Sequence, residues 1–257
     1  SMTFQNITDG VRLCSQSTDK FKTCRININM AMPLDSRVSA RAMLPFILQR
    51  RCAKYPDFIT LSRVLDELYG ASVSAGVFKR GEAQVISFNL TAIDDRFALD
   101  GDTVALECIE LLTEMIFNPL VDGESFPADI VEQEKRLLIE AIENEMNDKR
   151  RYALIRCEEI MFKDEAYGIN HLGKVSEVTE LTPEEIYLAW KDLLSSATIQ
   201  ITMVGSMDVE PVAKLLTERF SSIERNPVEI KTDFISDAGE TEYVCEEMPI
   251  KQGKLVM

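Results

Sequence analysis

The chain has 257 residues, a formal net charge of −15 and a single histidine, His171. Zinc hydrolases need imidazole ligands, and many other enzymes need a histidine as acid, as base or as the activator of a serine or cysteine nucleophile. One histidine leaves little room for most of these chemistries. The composition, with 46% apolar and 28% charged residues, is typical of a globular chain that buries a sizeable core.

The acidic balance disfavours binding to nucleic acid or to anionic membranes, because both depend on clustered lysine and arginine. A basic peptide would suit this charge better, although many cytosolic proteins are acidic for solubility alone. No run reaches the roughly 18 to 20 apolar residues of a membrane span, and no signal-peptide pattern is present. We therefore expect a cytoplasmic protein. The cysteines lack Cys-x-x-Cys spacing, and reduced, buried thiols are expected at Cys14, Cys24, Cys52, Cys108, Cys157 and Cys245.

The first predicted elements are two strands and a helix. Residues Cys24 to Met30 alternate strictly between apolar and polar side chains, which predicts a half-buried strand. Val11 to Ser15 is predicted to pair with it across the polar turn Thr18 to Lys20. A helix should follow from Ser36 to about Arg50, and Pro45 is expected to kink or restart it.

A short helix and a hairpin are predicted next. The helix has Thr60 as its N-cap and ends at Gly70. Its apolar face contains Leu61, Val64, Leu65 and Leu68. Two alternating segments, Val73 to Lys79 and Ala83 to Thr91, flank a turn centred on Gly81, which indicates a β-hairpin.

Helical periodicity dominates the middle of the chain. Apolar residues recur at helical spacing from Val104 to Met115 and over a long segment from about Pro127 to Phe162. Another helix begins after Thr182, with Pro183 at its first position and acidic residues in its first turn.

The last predicted elements are a strand, Ile199 to Val204, and a helix, Val209 to Phe220, capped by Asp208. The order β-β-α-α-β-β-α-α-α-β-α predicts an α+β fold in two layers, a mainly antiparallel sheet covered by helices. Residues 3–222 are expected to form this domain. Residues 223–257 are expected to be a linker and the start of a truncated second domain, because residues 251–257 resemble a strand that stops in mid-course.

Four local phrases resemble the peptidase M16 family of pitrilysin, insulysin and the mitochondrial processing peptidases. The phrases are Leu65 to Ala71, Glu134 to Glu140, Glu180 to Ile186 and Ile201 to Asp208. Their order and spacing match over about residues 3–222. The resemblance implies the M16 (LuxS/MPP-like) two-layer domain. M16 proteins consist of two similar halves arranged as a clamshell, and some assemble from separate catalytic and non-catalytic subunits.

Active M16 members carry the motif His-x-x-Glu-His on the first long helix and a further zinc ligand, a glutamate, on a later helix. Two imidazoles and a carboxylate hold Zn²⁺, and the motif glutamate takes a proton from the bound water. By position, the motif falls here on Ala42 and Phe46 for the two histidines and on Pro45 for the general base. The later ligand falls on Glu140 or Ala141. This departure implies no catalysis and no cofactor in this chain, with zinc expected only in an active partner.

The resemblance also implies a substrate-binding strand at a sheet edge. That strand would contain Val73, Ser74, Ala75, Gly76 and Val77. Main-chain pairing with an added peptide strand needs no particular side chain, so it could persist without catalysis. The alternative is an ordinary hairpin arm that is paired elsewhere.

The chain resembles the first half of a non-catalytic subunit, such as those found beside an active partner in bacteria. It would form a heterodimer with a catalytic M16 homologue and contribute to peptide binding and processing. Two alternatives remain open: a protein-interaction scaffold with no role in proteolysis, and a peptidase with an unrecognised metal site.

Two further features favour structural roles. His171 lies in a glycine-bracketed loop and is expected to be a hydrogen-bonded surface residue. The acidic residues of the long helix are expected to form a solvated, partly ion-paired surface rather than a catalytic or metal-binding group. They are Glu132, Glu134, Glu140, Glu143, Glu145 and Asp148.

Overall fold

The computed structural model describes residues 2–230 and residue 246. The strands are β1 Met2–Thr8, β2 Val11–Ser17, β3 Thr23–Pro33, β4 Ser72–Arg80, β5 Ala83–Ile93 and β6 Thr198–Gly205. The helices are α1 Val38–Leu48, α2 Phe58–Glu67, α3 Val104–Phe117, α4 Ala128–Asn147, α5 Lys149–Met161, α6 Val175–Glu180, α7 Pro183–Ser196 and α8 Val209–Phe220. The predicted thiol of Cys245 and the predicted strand at 251–257 lie outside the described residues.

The six strands form one sheet in the order β1-β2-β6-β3-β5-β4. Only the β2–β6 pair among them is parallel, and the other pairs are antiparallel. The predicted α+β fold with a mainly antiparallel sheet is therefore confirmed. The hairpin of β4 and β5 is also confirmed, and it ends the sheet.

The predicted pairing of Val11–Ser15 with the next strand is wrong. β6 lies between β2 and β3, pairing Leu13 with Ile201 on one side and Ile28 with Ile201 on the other. β6 is apolar at every second position and is buried there, so it stabilises a central place in the sheet. Its partner strands are far away in the sequence, and no local pattern indicates the insertion.

The sheet and the helices form two layers. In β3 the residues Cys24, Ile26, Ile28 and Met30 are buried, as their alternation predicts. Helices α1, α3 and α7 pack on this side of the sheet. Polar side chains dominate the opposite side, where Asn27 Nδ2 donates to Asn89 Oδ1 at 2.8 Å.

Helix α1 does not restart at Pro45. It is one helix from Val38 to Leu48, and the Gln49 N–H closes it by donating to the Pro45 carbonyl at 3.2 Å. Proline has no N–H, so the helix loses the hydrogen bond that residue 45 would donate to the Arg41 carbonyl. Ten of the eleven residues of α1 are buried, and burial of this extent offsets the missing bond.

Helix α2 begins two residues before the predicted N-cap. Asp57, not Thr60, is the N-cap, and its carboxylate accepts from the Thr60 N–H at 2.8 Å and from the Thr60 hydroxyl at 2.9 Å. Asp and Thr are both favoured N-cap residues. Asp57 is the N-cap here because its carboxylate accepts from two donors, the N–H and the hydroxyl of Thr60. The apolar face is as predicted, with Leu61 buried against Leu111 and Met115.

The long helical segment is two helices. Asp148 has extended backbone angles, and its carboxylate accepts from the N–H groups of Arg150 and Arg151, each at 3.1 Å. It therefore ends α4 and caps α5. Strand β1 and the short helix α6 were also absent from the predicted order. The predicted N-caps at Thr182 and Asp208 are confirmed.

Candidate functional site

The positions expected for the zinc motif on α1 face the protein interior. Ala42 has no exposed surface, Pro45 is buried and Phe46 is half-buried. Ala42 and Phe46 lie one helical turn apart, as two ligands on one face would. None of the three side chains has an atom that donates to a metal, so these residues do not fit zinc. Across residues 2–230 and residue 246, no group of three or more His, Cys, Asp or Glu side chains is placed to hold a metal ion.

The later ligand position is on α4. Glu140 is exposed, whereas the neighbouring Ala141 packs against the main hydrophobic core. The helix therefore turns the methyl group of Ala141 inward and the only available carboxylate, that of Glu140, outward. Neither residue completes a metal site with α1.

A buried ion pair joins α1 to α4. Arg51 Nη2 lies 2.8 Å from Glu134 Oε1, and the Glu134 side chain has no exposed surface. Arg50 Nη1 lies 3.8 Å from the same oxygen. The expectation of a solvated acidic surface is wrong for Glu134, because this position of α4 faces the end of α1. The ion pair fixes that end of α1 against α4.

Strand β4 lies at an edge of the sheet, and within the described residues it pairs only with β5. The Ala75 N–H donates to the Gln49 side-chain oxygen at 3.1 Å rather than to β5. The backbone groups of Ala75 therefore point away from the sheet. Since antiparallel pairs alternate along the strands, Val73 and Val77 share this orientation.

Gln49 brings the motif helix and the sheet edge together. It follows directly after α1, three residues beyond Phe46, and its side chain reaches the outward N–H of Ala75. The sequence did not identify Gln49, because a glutamine at the end of a helix does not indicate a contact with a sheet edge. The strand expected to bind peptide thus lies beside the positions expected for the zinc motif.

The other end of β4 contacts α5 and the loop that follows it. Lys79 Nζ forms an ion pair with Glu158 at 3.2 Å and donates to the carbonyl of Ile169 at 3.1 Å. It also donates to the carbonyl of Tyr167 and lies 4.5 Å from the centre of its ring. These contacts lie beyond the stretch from Val73 to Val77, whose middle residue, Ala75, contacts Gln49.

His171 is buried, which corrects the expectation of a surface residue. It is 9% exposed, and burial lowers the pKa of its imidazole to about 4, with the positive charges of Arg151 and Lys79 acting in the same direction. Its Nε2 lies 3.5 Å from Glu145 Oε1. Burial also raises the pKa of the Glu145 carboxyl. The fold buries this loop because its backbone bonds to the sheet.

The side chain of Gln84 in β5 forms the hydrogen bond to the backbone of the His171 loop. Gln84 Nε2 donates to the carbonyl of His171 at 2.7 Å, and Gln84 Oε1 accepts from Arg41 Nε at 2.7 Å. Gln84 was the one available signal, because it is a polar residue on the otherwise apolar side of β5. The network ties the His171 loop to the beginning of α1.

Burial suppresses the reactivity of two of the cysteine thiols. Cys14, Cys24, Cys52 and Cys108 are buried and Cys157 is half-buried, all as free thiols. Burial raises the pKa of Cys24 to about 11 and that of Cys108 to about 12. A thiol with so high a pKa is a poor nucleophile near neutral pH.

The fold is that of an M16-like α+β domain, and the positions expected for the zinc motif hold Ala, Pro and Phe. The chain is 32% identical to the probable inactive metalloprotease YmfF of Bacillus subtilis over 239 aligned residues. The alignment covers 93% of this chain and 56% of YmfF. The structure of a conserved protein from Enterococcus faecalis V583 superimposes with a TM-score of 0.81 at 25% identity, over 87% of this chain and 53% of that one. A peptidase M16 inactive domain from Pseudomonas fluorescens gives a TM-score of 0.66 at 15% identity, over 89% of this chain and 52% of that one.

The chain is therefore an M16-like homologue of inactive metalloproteases that lacks the inverted zinc motif. It spans about half the length of the relatives it matches. No family model matches it. Among the described residues, no helix is long and apolar enough to cross a membrane.

Proposed function

We propose that the chain is the first half of a non-catalytic M16-like subunit, and that this subunit pairs with a catalytic M16 homologue as a heterodimer in the cytoplasm and helps to bind and process peptide. The absence of donor atoms at Ala42, Pro45 and Phe46 supports a role without zinc. Similarity to about half of longer M16-like proteins supports a paired architecture. We retain residues 3–222 as an M16-like N-terminal domain and residues 223–257 as a linker and the start of a second M16-like domain.

The observation that favours peptide binding most strongly is the geometry of β4. An edge strand with outward N–H and carbonyl groups is what an added peptide strand needs, and such pairing depends on the main chain rather than on side chains. The contact of Gln49 with Ala75 places this edge beside the motif helix. A bound peptide would thus lie along Val73 to Val77, and the catalytic partner would cleave it.

The partner can be tested in the cell. The full-length protein is tagged at its own locus, and the co-purifying proteins are identified by mass spectrometry. Recovery of a homologue with intact His-x-x-Glu-His would support the heterodimer. Recovery of unrelated partners alone would favour the scaffold alternative. Stoichiometric zinc on the isolated full-length protein, with peptide cleavage abolished by a chelator, would overturn a non-catalytic role.

The edge can be tested in that assembled complex with Ala75→Pro. Proline is tolerated at edge positions whose N–H faces outward, so β4 should keep its pairing with β5. The outward donor disappears, and we expect KM for peptide cleavage to rise about tenfold, the equivalent of about 1.4 kcal/mol.

The matched control is Gly76→Ala. A Cβ at Gly76 meets no atom within 4 Å, and this residue faces β5. KM should stay at the wild-type value. Equal KM values for A75P and the wild type, with the complex intact, would mean that peptide does not bind along β4.

A further inference from the structure

A groove on the helical layer is lined by no residue of α1 or β4. It has a volume of about 690 Å³ and is formed by α2, α3, α8 and the segment that precedes α2. Its apolar side chains are Tyr55, Val64, Leu68, Leu111 and Leu215. Leu111 is buried and the other four are half-buried, so the floor is an apolar strip that remains accessible.

Acidic side chains line the rim of this groove. The three carboxylates of α3, Glu107, Glu110 and Glu114, follow each other at helical spacing on the side that faces the groove. Glu67 of α2 and Glu218 of α8 add two more from the flanking helices. Each of the three helices thus contributes both an apolar side chain and a carboxylate.

The rim keeps an excess of negative charge. Arg219 forms an ion pair with Glu114 at 2.6 Å, and Lys54 lies over the ring of Tyr55 at 5.5 Å. Within the described residues, the other four carboxylates form no ion pair. Five acidic and two basic side chains line the groove, which leaves a net charge of −3.

We infer that this groove is a docking site for a basic amphipathic segment of a partner protein. Apolar side chains of the segment would pack on Leu68, Leu111 and Leu215, while its lysines or arginines would face the carboxylates of the rim. A second copy of this chain is disfavoured because each copy has a net charge of −15. A wholly polar cation would leave the apolar floor uncovered, and a wholly apolar segment would leave the carboxylates facing it.

The site is independent of the proposed peptide-binding edge, because no residue of α1 or β4 lines the groove. The floor is held in place by packing at its ends. The rings of Phe117 at the end of α3 and Phe220 at the end of α8 meet edge to face at 4.9 Å. Arg219 also donates to the buried Thr113 hydroxyl at 3.2 Å. The groove is therefore formed before a partner arrives, which lowers the cost of binding.

Binding is measured by fluorescence anisotropy on the full chain, with a labelled peptide of about five helical turns. The peptide has leucines along one face and lysines elsewhere. A second peptide has serine in place of every leucine at the same charge. We expect the leucine–lysine peptide to bind, and the serine–lysine peptide to bind at least about tenfold more weakly, because it cannot cover the floor.

The test variant is Glu110→Lys with Glu218→Lys, which reverses two rim charges. Its control is Glu143→Lys with Glu180→Lys, which makes the same change in net charge at exposed positions of α4 and α6. We expect the rim variant to weaken binding of the leucine–lysine peptide about tenfold and the control to change it by less than about twofold. Leu215→Ser should weaken it while leaving the charge unchanged.

Equal weakening by the rim variant and the control would mean that the peptide responds only to net charge, and it would overturn the proposal. Equal binding of the two peptides would overturn the role of the apolar floor. Circular dichroism melts of all variants establish that they are folded. Because neither β4 nor α1 is altered, failure here leaves the proposed peptide-binding edge standing, and failure of A75P leaves the groove standing.

Discussion

The motif face of α1 and the edge of β4 lie side by side, yet one has lost its implied chemistry and the other has kept the groups that its implied function requires. On α1, the three side chains at the positions expected for the zinc motif are all apolar. On β4, the relevant groups are main-chain N–H and C=O groups, which every residue except proline retains as long as the strand stays at the edge. Most substitutions remove a function that depends on particular side chains, whereas a function that depends on the main chain is lost only through proline or through refolding.

The largest expected effect comes from breaking the anchor that holds α1 in place beside β4. Glu134→Ala leaves the buried guanidinium of Arg51 without its carboxylate. Removing one partner of a buried pair typically costs about 3–5 kcal/mol, because the remaining charge is desolvated and unpaired. We expect a loss of this size in the free energy of unfolding, measured by urea denaturation.

Glu132→Ala is the matched control on the same helix. The side chain of Glu132 is 70% exposed and pairs with Lys135 at 3.3 Å. When Glu132 is removed, the buried Lys135 keeps its hydrogen bond to the Thr179 carbonyl at 3.2 Å, so we expect a cost of about 1 kcal/mol or less. If the two variants cost the same, the Glu134 pair does not anchor α1.

The second effect concerns the opposite end of α1, which the His171 loop holds through Gln84. Because the folded-state pKa of His171 is about 4, below its ordinary value of 6.5, the folded protein keeps this imidazole neutral while the unfolded chain protonates it. The contribution of the neutral imidazole to the free energy of unfolding is complete above pH 6.5. It is lost as the pH falls towards 4, and the loss reaches about 3 kcal/mol. Glu145 acts in the opposite direction, since its raised pKa favours the folded state at lower pH.

His171→Gln should therefore flatten the dependence of stability on pH. The measurement is the urea midpoint of wild type and variant between pH 7.5 and 4.5, a window that includes the ordinary pKa of 6.5 and approaches the folded-state pKa of about 4. The wild type should lose stability more steeply than the variant as the pH falls. Parallel curves would show that His171 titrates alike in the folded and the unfolded states.

A third test introduces the zinc motif on α1 with Ala42→His, Pro45→Glu and Phe46→His. Ala42 has no exposed surface, so a larger side chain there overpacks the core and should cost about 1–3 kcal/mol. With Ala141 packed inward and Glu140 exposed, we expect no stoichiometric zinc by metal analysis of the dialysed protein. Tight binding of one zinc would show that a carboxylate reaches the site.

How far the sequence predicts the molecule depends on the distance over which each signal acts. The helix caps at Thr182 and Asp208, and the hairpin around Gly81, depend on neighbours within a few residues and were predicted correctly. The place of β6 between β2 and β3 depends on strands far away in the chain, and the sequence pointed instead to the nearer hairpin.

The same distinction holds for the candidate site. Glu132 and Glu134 look alike in a charged helical segment, yet one is exposed and the other is buried against Arg51. Gln49 and Ala75 meet only because α1 ends beside the sheet edge. The strand from Val73 to Val77 could be proposed through family resemblance, but the side chain that caps it could not.

The smallest expected effect addresses that cap. Gln49→Ala removes the acceptor of the Ala75 N–H, and the loss of one partly exposed hydrogen bond should cost about 1 kcal/mol or less. Hydrogen–deuterium exchange should accelerate at the Ala75 amide and stay unchanged at Gly76, which faces β5. Equal exchange in wild type and variant would mean that Gln49 does not shield the edge. Faster exchange at Ala75 alone would show that Gln49, the residue that follows α1, protects the outward amide of the edge strand.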